Sequence, residues 1–529
     1  MDGVFDNVLL GFQTAFSPAN LLYCFGGVVL GTFIGMLPGL GSATGVALLL
    51  PLTLTLDPIS ALIMLAGIYY GCQYGASISS ILIATPGDSA SVVTAFDGYP
   101  LARTGRAGQA LATSVIASFV AGTITIIPLM TLAPIFSGLA LNFGPPEMFA
   151  LMVLGMASVV GFGGGTSQAK GLAMAAFGVA ISTVGIDAQT GIARYTFGQV
   201  QLLDGIGFLG VVIGLFAVAE VMAQVGRGGA EPIRTRMRDM LMSRRDLREI
   251  SGPTARGGVV GFLVGMLPGA GATLASFFAY DIERRVSKKP ERFGKGALPG
   301  VAGPEAANNA AANAAFVPTL TLGIPGSGTT AVLLGAFIIF GLQPGPLFLR
   351  EQPELAWGLM ASFYLGNLLL LAMNLPLAPV LGSLLRIRYS LLYPLILLVA
   401  LIGAYAMQNR MWGVWLGLAF GVIGYVMHKY GYPAAPLILG LILGSLMEKT
   451  LTQTSDMGGG DLTIFFNRPI ALLLFALALV LLLAPYLVKA VRRMRPAPTS
   501  TPPDGPADDA ASARSGDEEM TTLSRREDG

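Results

Sequence analysis

Charge is what this sequence has least of. Asp, Glu, Lys and Arg together make up 12% of the 529 residues, against 53% hydrophobic residues. Soluble domains carry roughly 25% charged residues, so the polar surface needed to cover this chain in water is missing. Histidine occurs once, at His428 beside Lys429, where it reads as an interfacial residue, with a proton relay as the alternative. Cys24 and Cys72 both fall in apolar stretches, so neither a disulfide framework nor a metal cluster is implied. There is no G-x-x-x-x-G-K-[ST] loop, so ATP does not drive the chain directly. No nucleophile elbow or clustered catalytic set is visible, and an enzyme is not expected. The glycine string Gly161–Ser167 fits a turn between spans better than a phosphate cradle. The N-terminus has no basic region ahead of its first apolar stretch, and no signal peptide is expected.

Glycine and proline, by contrast, are abundant at 70 and 33 residues. In a membrane, glycine permits close helix contact, and Pro and Gly break helices where backbone lines a cavity. Apolar segments long enough to span recur at 109–137, 146–166, 170–186, 205–225, 356–385, 389–407, 411–427, 433–449 and 469–490. The expected fold is an all-α polytopic membrane protein of about 10–12 spans, some broken or re-entrant. Arg and Lys crowd into short segments: Arg227 to Arg256, and Asp281 to Lys295. Such loops are cytoplasmic by the positive-inside rule. The expected divisions are a first membrane repeat (1–225), a basic linker (226–256), a second repeat (257–495) and a Pro/Ser/acidic tail (496–529), predicted to be disordered.

The chain repeats itself. Gly27–Gly41 (GVVLGTFIGMLPGLG) matches Gly257–Gly271 (GGVVGFLVGMLPGAG); Pro86-Gly87 matches Pro325-Gly326; Ala117-Ser118-Phe119 and Gly122 match Ala361-Ser362-Phe363 and Gly366. Wherever a loop of one half is basic, its counterpart is neutral: Arg103 and Arg106 against GLQPGP, LTLTLDP against 281–295, LNFGPP against Arg386 and Arg388. Corresponding loops therefore lie on opposite sides, and the halves are inverted. Because 257–280 is flanked by basic loops on both sides, it should be a hairpin turning near MLPGAG; one ordinary helix that breaks the charge rule is the alternative.

Broken segments at matching places in inverted halves point to a midplane binding site. Four motifs qualify: MLPGLGSATG (Gly39, Gly41, Ser42, Thr44), IATPGDSAS (Thr85, Gly87, Ser89, Ser91), MLPGAGATLAS (Gly269, Gly271, Thr273) and GIPGSGTT (Gly326, Ser327, Thr329, Thr330). Exposed N–H groups of broken helices suit carboxylates, and their exposed carbonyls suit Na⁺. Small residues that merely permit tight helix packing are the alternative. GPEAANNAAANAA adds Glu305, Asn308, Asn309 and Asn313 in an Ala-rich run, with Glu305 and the first two asparagines on one helix face. An intramembrane carboxylate is a functional candidate. Glu305, Asp88 and Asn313 are therefore candidates for Na⁺ or proton coupling and Asn308 and Asn309 for substrate contact, unless Glu305 simply opens a cytoplasmic helix.

These motifs resemble the large membrane subunit of the tripartite tricarboxylate transporter family. The matching strings are GMLPGLG, YGASISSILIATPGDSASVVTAFDGYPLAR, VGIDAQTGIARYTFG, GMLPGAGAT, GPEAANNAA and GIPGSGTTAVLLGA, spread over residues 20 to 450. The resemblance implies a secondary transporter in the bacterial inner membrane that takes up carboxylates such as citrate on an ion gradient. It implies two protein partners, a small membrane subunit of about four helices and a periplasmic solute-binding protein. Cofactors beyond the coupling Na⁺ or proton, and nucleic acid, are not expected. The tail would be cytoplasmic, and VGIDAQTGIARYTFG a periplasmic loop with Arg194 docking or gating. A channel or uncoupled anion permease is the alternative.

Overall fold

A computed structural model describes residues 2–494, apart from 163–166, 188–189, 225–230, 388 and 407–408. The 496–529 tail, Arg227, Arg388 and most of the Gly161–Ser167 string lie outside the described residues. The chain divides into units Met1–Ala484 and Pro485–Gly529.

Nearly every described element is a helix. After α1 (Asp2–Ala15), α2 (Pro18–Gly35) starts on Pro18 with Ser17 accepting from the Asn20 N–H. It stops at Met36, and α3 (Gly41–Thr53) runs back. Gly39 and Gly41 take φ of +80° and +61° in that break, a conformation that favours glycine. Next come α4 (Pro58–Ile83), α5 (Val92–Leu101) and the long α6 (Ala107–Ala140). Two further helices, α7 (Pro145–Phe162) and α8 (Gln168–Ser182), precede a two-stranded ribbon, β1 (Gly185–Ile186) against β2 (Ala193–Arg194). A helix interrupted by a π stretch closes the half as α9 (Phe208–Val212) and α10 (Ala219–Gln224).

The second half repeats the plan. α11 (Arg244–Gly265) opens on a Ser243–Asp246 capping box and breaks after Gly265, as α2 does after Gly35. α12 (Gly271–Val286) turns back with Gly269 and Gly271 at φ of +76° and +61°. α13 (Leu298–Ala314) and α14 (Phe316–Leu322) stand where α4 stands, and α15 (Gly328–Ile339) follows the Pro325-Gly326 break. Then come the short α16 (Phe348–Glu351), the long α17 (Pro353–Leu384), α18 (Tyr389–Ala406), α19 (Met411–Tyr430), α20 (Ala434–Met457), the short α21 (Ile464–Asn467) and α22 (Pro469–Met494).

The duplication is legible in the packing. Cβ atoms at Gly27, Gly31 and Gly35 of α2 would collide with backbone at Met64, Ile68 and Cys72 of α4. Gly257, Gly261 and Gly265 of α11 meet Gly303, Ala307 and Ala311 of α13 in the same way. These glycine seams bring the backbones together without a side chain between them. Every residue from Ile59 to Ile83 of α4 is buried, as is nearly all of α13.

The halves are upside down relative to each other. The 26 residues of α4 carry it about 39 Å from its base. Gly98 of α5 packs beside Ile81 at its far end. There Asp97 Oδ1 accepts from the N–H groups of Gly294, Gly296 and Ala297 at 3.0, 2.8 and 2.7 Å. Those residues form the loop at the base of the α11–α12 hairpin, so one half's hairpin base lies opposite the other's. The hairpin itself closes on one side. Arg256 pairs with Glu283 through two 2.7 Å bonds, and Arg292 reaches Glu249 at 3.2 Å. The expected hairpin replaces the single-helix alternative.

Five helical stretches are long and apolar enough to cross a membrane among the described residues: Pro18–Gly35, Ser89–Ala140, Pro353–Leu384, Met411–Tyr430 and Ala434–Met457. Shorter apolar helices accompany them, including Phe208–Gln224 and Pro469–Leu483. The protein is an all-α polytopic membrane protein. α4 was absent from the expected spans because its Tyr, Ser, Gly and Gln residues dilute its hydropathy. It faces protein rather than lipid, so it has no need to be uniformly apolar.

Candidate functional site

All four Pro-Gly motifs meet around one cavity of about 970 Å³. In the first half, Gly39 N donates to Pro86 O (3.2 Å) and Gly41 N to Gly87 O (2.8 Å), joining the hairpin tip to the break after α4. In the second, Gly269 N donates to Gly326 O at 3.1 Å. Three carbonyls of these breaks, those of Pro86, Gly87 and Gly326, are thus each engaged by one N–H. Two hydroxyl pairs then bridge the halves: Ser42 Oγ to Thr329 Oγ1, and Ser89 Oγ to Thr273 Oγ1, each at 2.8 Å.

The two tips differ in charge. Asp88 Oδ2 accepts from Ser42 N (2.8 Å) and Ser42 Oγ (2.7 Å), while Oδ1 accepts from Ala90 N (3.3 Å) and Ser89 Oγ (3.2 Å). The first-half tip therefore has a carboxylate of its own at the start of α3. In the second half the residue after Pro325-Gly326 is Ser327. It caps its own helix, accepting from Thr330 N at 3.2 Å while its N–H donates to Thr330 Oγ1 at 2.8 Å.

Of the residues singled out from sequence, Gly39, Gly41, Ser42, Thr44, Thr85, Gly87, Asp88, Ser89, Gly269, Gly271, Thr273, Ser327 and Thr329 line the cavity. Ser91 stands behind it, donating to Asp88 O and accepting from Ser80. Gly326 packs on Ala315, and Thr330 completes the capping box with Ser327.

Glu305, Asn308, Asn309 and Asn313 lie off the cavity. Glu305 is fully buried and stands inside a hydroxyl shell: Ser77 at 2.7 and 2.8 Å, Ser114 at 3.0 Å, Ser118 at 3.2 Å, and Thr94. Those donors come from α4, α5 and α6, so the carboxylate ties the second half to the first. It sits within α13 rather than at a cytoplasmic helix start. Asn313 donates to Gly122 O (2.7 Å) and Thr125 Oγ1 (2.8 Å) of α6. Asn309 donates to Glu305 O at 3.1 Å, and both polar side-chain atoms of Asn308 are buried without a partner among the described residues.

Sequence reasoning missed several lining residues. Tyr69 and Gln73 enter from α4, Phe216, Glu220 and Gln224 from the helix ending in α10, Phe277 from α12, Tyr393 from α18 and His428 from α19. Gln73 is 2% exposed and its Oε1 has no partner among the described residues. Gln224 Nε2 donates to Glu220 Oε1 at 2.8 Å. The polar pair at helical spacing inside the apolar 205–225 segment was the one visible signal. His428, read as interfacial, is exposed at the rim of this cavity. Among the described residues lining the cavity there is no Lys or Arg, whereas two carboxylates, Asp88 and Glu220, are present.

Arg194 stands elsewhere, on β2. It makes a two-pronged pair with Glu448 of α20, at 2.5 and 3.0 Å, with Asp187 3.9 Å away. Neighbouring Tyr195 and Phe197 are exposed.

Relatives of this chain are known from sequence. The chain is 45% identical over 480 residues to an Agrobacterium vitis protein described as an uncharacterized 52.8 kDa protein in the TAR-I ttuC' 3' region, covering 90% of this chain and 95% of that one. It is 47% identical over 220 residues to another from the same organism, described as an uncharacterized protein in the TAR-II ttuC' 3' region, covering 42% of this chain and 91% of that one. No solved structure matches it. The model of the tripartite tricarboxylate transporter TctA family matches residues 21–439, and the chain belongs to that family of transporter subunits.

Proposed function

We propose that this chain is the translocating subunit of a binding-protein-dependent secondary transporter that imports di- and tricarboxylates of the citrate type on a Na⁺ or proton gradient. One observation supports coupling above the rest. The cavity formed by both inverted halves carries Asp88 and Glu220 and no lining Lys or Arg among the described residues. A multivalent anion entering beside the Asp88 carboxylate meets repulsion unless cations enter with it. Asp88 is the proposed cation ligand, because it alone of the expected coupling residues lines the cavity. Glu305 and Asn313, set apart from it, are proposed to hold α13 against α4, α5 and α6.

The substrate is delivered by a periplasmic binding protein to the neutral face, and a small membrane subunit of about four helices completes the complex. The face bearing Arg103, Arg106 and the 281–295 loop is cytoplasmic by the positive-inside rule, in the bacterial inner membrane. The tips then move against the flanking helices.

Uptake of labelled citrate and a panel of di- and tricarboxylates into proteoliposomes tests this. They hold the chain with its small subunit, with and without binding protein, under an imposed Na⁺ or proton gradient. Gradient-driven, binding-protein-dependent uptake is expected. Uptake that runs equally without a gradient identifies an uncoupled permease instead.

A further inference from the structure

A groove of about 520 Å³ lies apart from the translocation cavity, between α6 and α11. Ile116, Ile124 and Pro128 belong to one wall, and Leu247, Val259 and Leu263 to the other. Ile124, Leu247, Val259 and Leu263 are exposed, so the groove opens outward rather than into the core. Its hydroxyls are turned back on their own helices. Ser251 Oγ donates to Arg248 O (3.0 Å), Thr254 Oγ1 to Ile250 O (2.8 Å) and Thr125 Oγ1 to Ala121 O (2.7 Å). The lining therefore offers hydrocarbon and no free hydroxyl proton, which suits a hydrocarbon chain.

Depth and mouth narrow the choice of occupant. The lining runs for about 18 Å along α6 and about 24 Å along α11. A bilayer with its headgroups is about 40–45 Å thick, so the groove is one leaflet deep. It starts at Leu247, in the first turn of α11, and ends at Leu263, just before that helix breaks. At the mouth, Arg244 and Arg248 stand on the groove side of α11, three positions before the lining residues Leu247 and Ser251. Both arginines are exposed, and neither makes an ion pair among the described residues. The carboxylates beside them are engaged elsewhere: Asp246 accepts from Ser243 N and Oγ, and Glu249 from Arg292. A spanning helix of another subunit would need contact over about 30 Å and acidic groups of its own at the arginines. A lipid needs one leaflet and brings its own phosphate.

We propose that the α6–α11 groove is a binding site for an anionic phospholipid of the leaflet on the basic face, with an acyl chain between the helices and the phosphate on Arg244 and Arg248. Guanidinium groups pair with phosphate oxygens by charge-assisted bonds, and a zwitterionic headgroup would set its own cation against them. The lipid braces the outer arm of the second hairpin against α6, the helix whose Ser114 and Ser118 hold Glu305.

The site does not depend on what the cavity carries, and its test reads binding rather than uptake. Delipidated protein in detergent is titrated with phosphatidylglycerol or with phosphatidylcholine of the same chains, and bound lipid is counted by native mass spectrometry. Phosphatidylglycerol should bind at least ~10-fold more tightly. In Arg244→Gln/Arg248→Gln, at two exposed positions, that preference should fall to about threefold or less. Ala255→Phe fills the groove and should weaken both lipids at least ~10-fold. Phosphatidylglycerol with a photoreactive chain should label peptides from 116–128 and 247–263 in the unmodified protein, which keeps the test open should a variant not fold. A double-arginine variant that retains the full preference, or labelling confined to other segments, overturns the site. Glycerol phosphate competing as well as intact lipid overturns it too, because the groove then contributes nothing. So does a Val259→Cys variant that crosslinks to a second copy or to the small subunit in lipid-replete membranes, because protein then fills the groove.

Discussion

Ser89 Oγ lies 2.8 Å from Thr273 Oγ1, across a sequence separation of 184 residues and across the boundary between the inverted halves. Ser42 and Thr329 make the matching contact. Each hairpin tip thus touches the Pro-Gly break of the other half through a pair of hydroxyl groups, at the wall of the cavity. Such contacts are strong enough to set register and weak enough to part, each being worth about 0.5–1.5 kcal/mol.

If the tips part during transport, locking them should stop it. Cys24 and Cys72 are buried, so in a Ser89→Cys/Thr273→Cys variant the new pair is the reactive one. Oxidation is expected to cut uptake about tenfold or more, and reductant to restore it. Undiminished uptake by protein whose disulfide is verified by mass would mean the tips stay together throughout the cycle.

The glycine seams set a second expectation. A Cβ at Gly261 has no room against the Ala307 carbonyl, whereas one at Gly26 meets nothing within 4 Å. Gly261→Ala is expected to destabilise the protein by about 1–3 kcal/mol. Gly26→Ala should be neutral or stabilising by up to about 1 kcal/mol. Thermal unfolding in detergent compares them, and equal Tm values would remove the seam from the account.

Glu305 accepts from four hydroxyls in a dry setting. Glu305→Gln puts an amide donor against donors, and a loss of about 1–3 kcal/mol is expected, with ion dependence of uptake unchanged. The opposite result, unchanged stability with lost ion dependence, would move the coupling site from Asp88 to Glu305.

Arg194 and Glu448 pin the β1–β2 ribbon to α20, at 30% and 38% side-chain exposure. At that exposure solvent screens the pair, and a double-mutant cycle should give a coupling of about 0.5–1 kcal/mol. Arg194→Gln and Glu448→Gln should both expose the ribbon to protease and lower binding-protein-dependent uptake. Loss of uptake from Arg194→Gln alone would mean the guanidinium contacts the binding protein itself.

Much of this molecule was determined by its sequence. Scarce charge set the solvent, the basic segments set which loops share a face, and the repeated MLPG and Pro-Gly strings marked both the duplication and the breaks. These are local signals: hydropathy over a span, a residue that forbids or permits a turn, a charge that stays in water. They sufficed to nominate thirteen of the lining residues.

Tertiary structure decided which of the polar residues meet. Asp88 and Glu305 look alike in sequence, each a lone carboxylate in an apolar run. Folding sends one to the cavity and encloses the other in hydroxyls from three helices of the opposite half. Gln73, His428 and the Glu220–Gln224 pair reach the cavity from helices far apart in the chain, and no periodicity announces such a meeting. The contrast between Asp88 and Ser327 was present in the aligned motifs, but its meaning was not. Only the packing of inverted halves shows that Asp88 reaches Ser42 at the head of α3 while Ser327 caps its own helix. Helix breaks are written residue by residue, whereas which helix heads face one another follows from where the glycine seams let the backbones close.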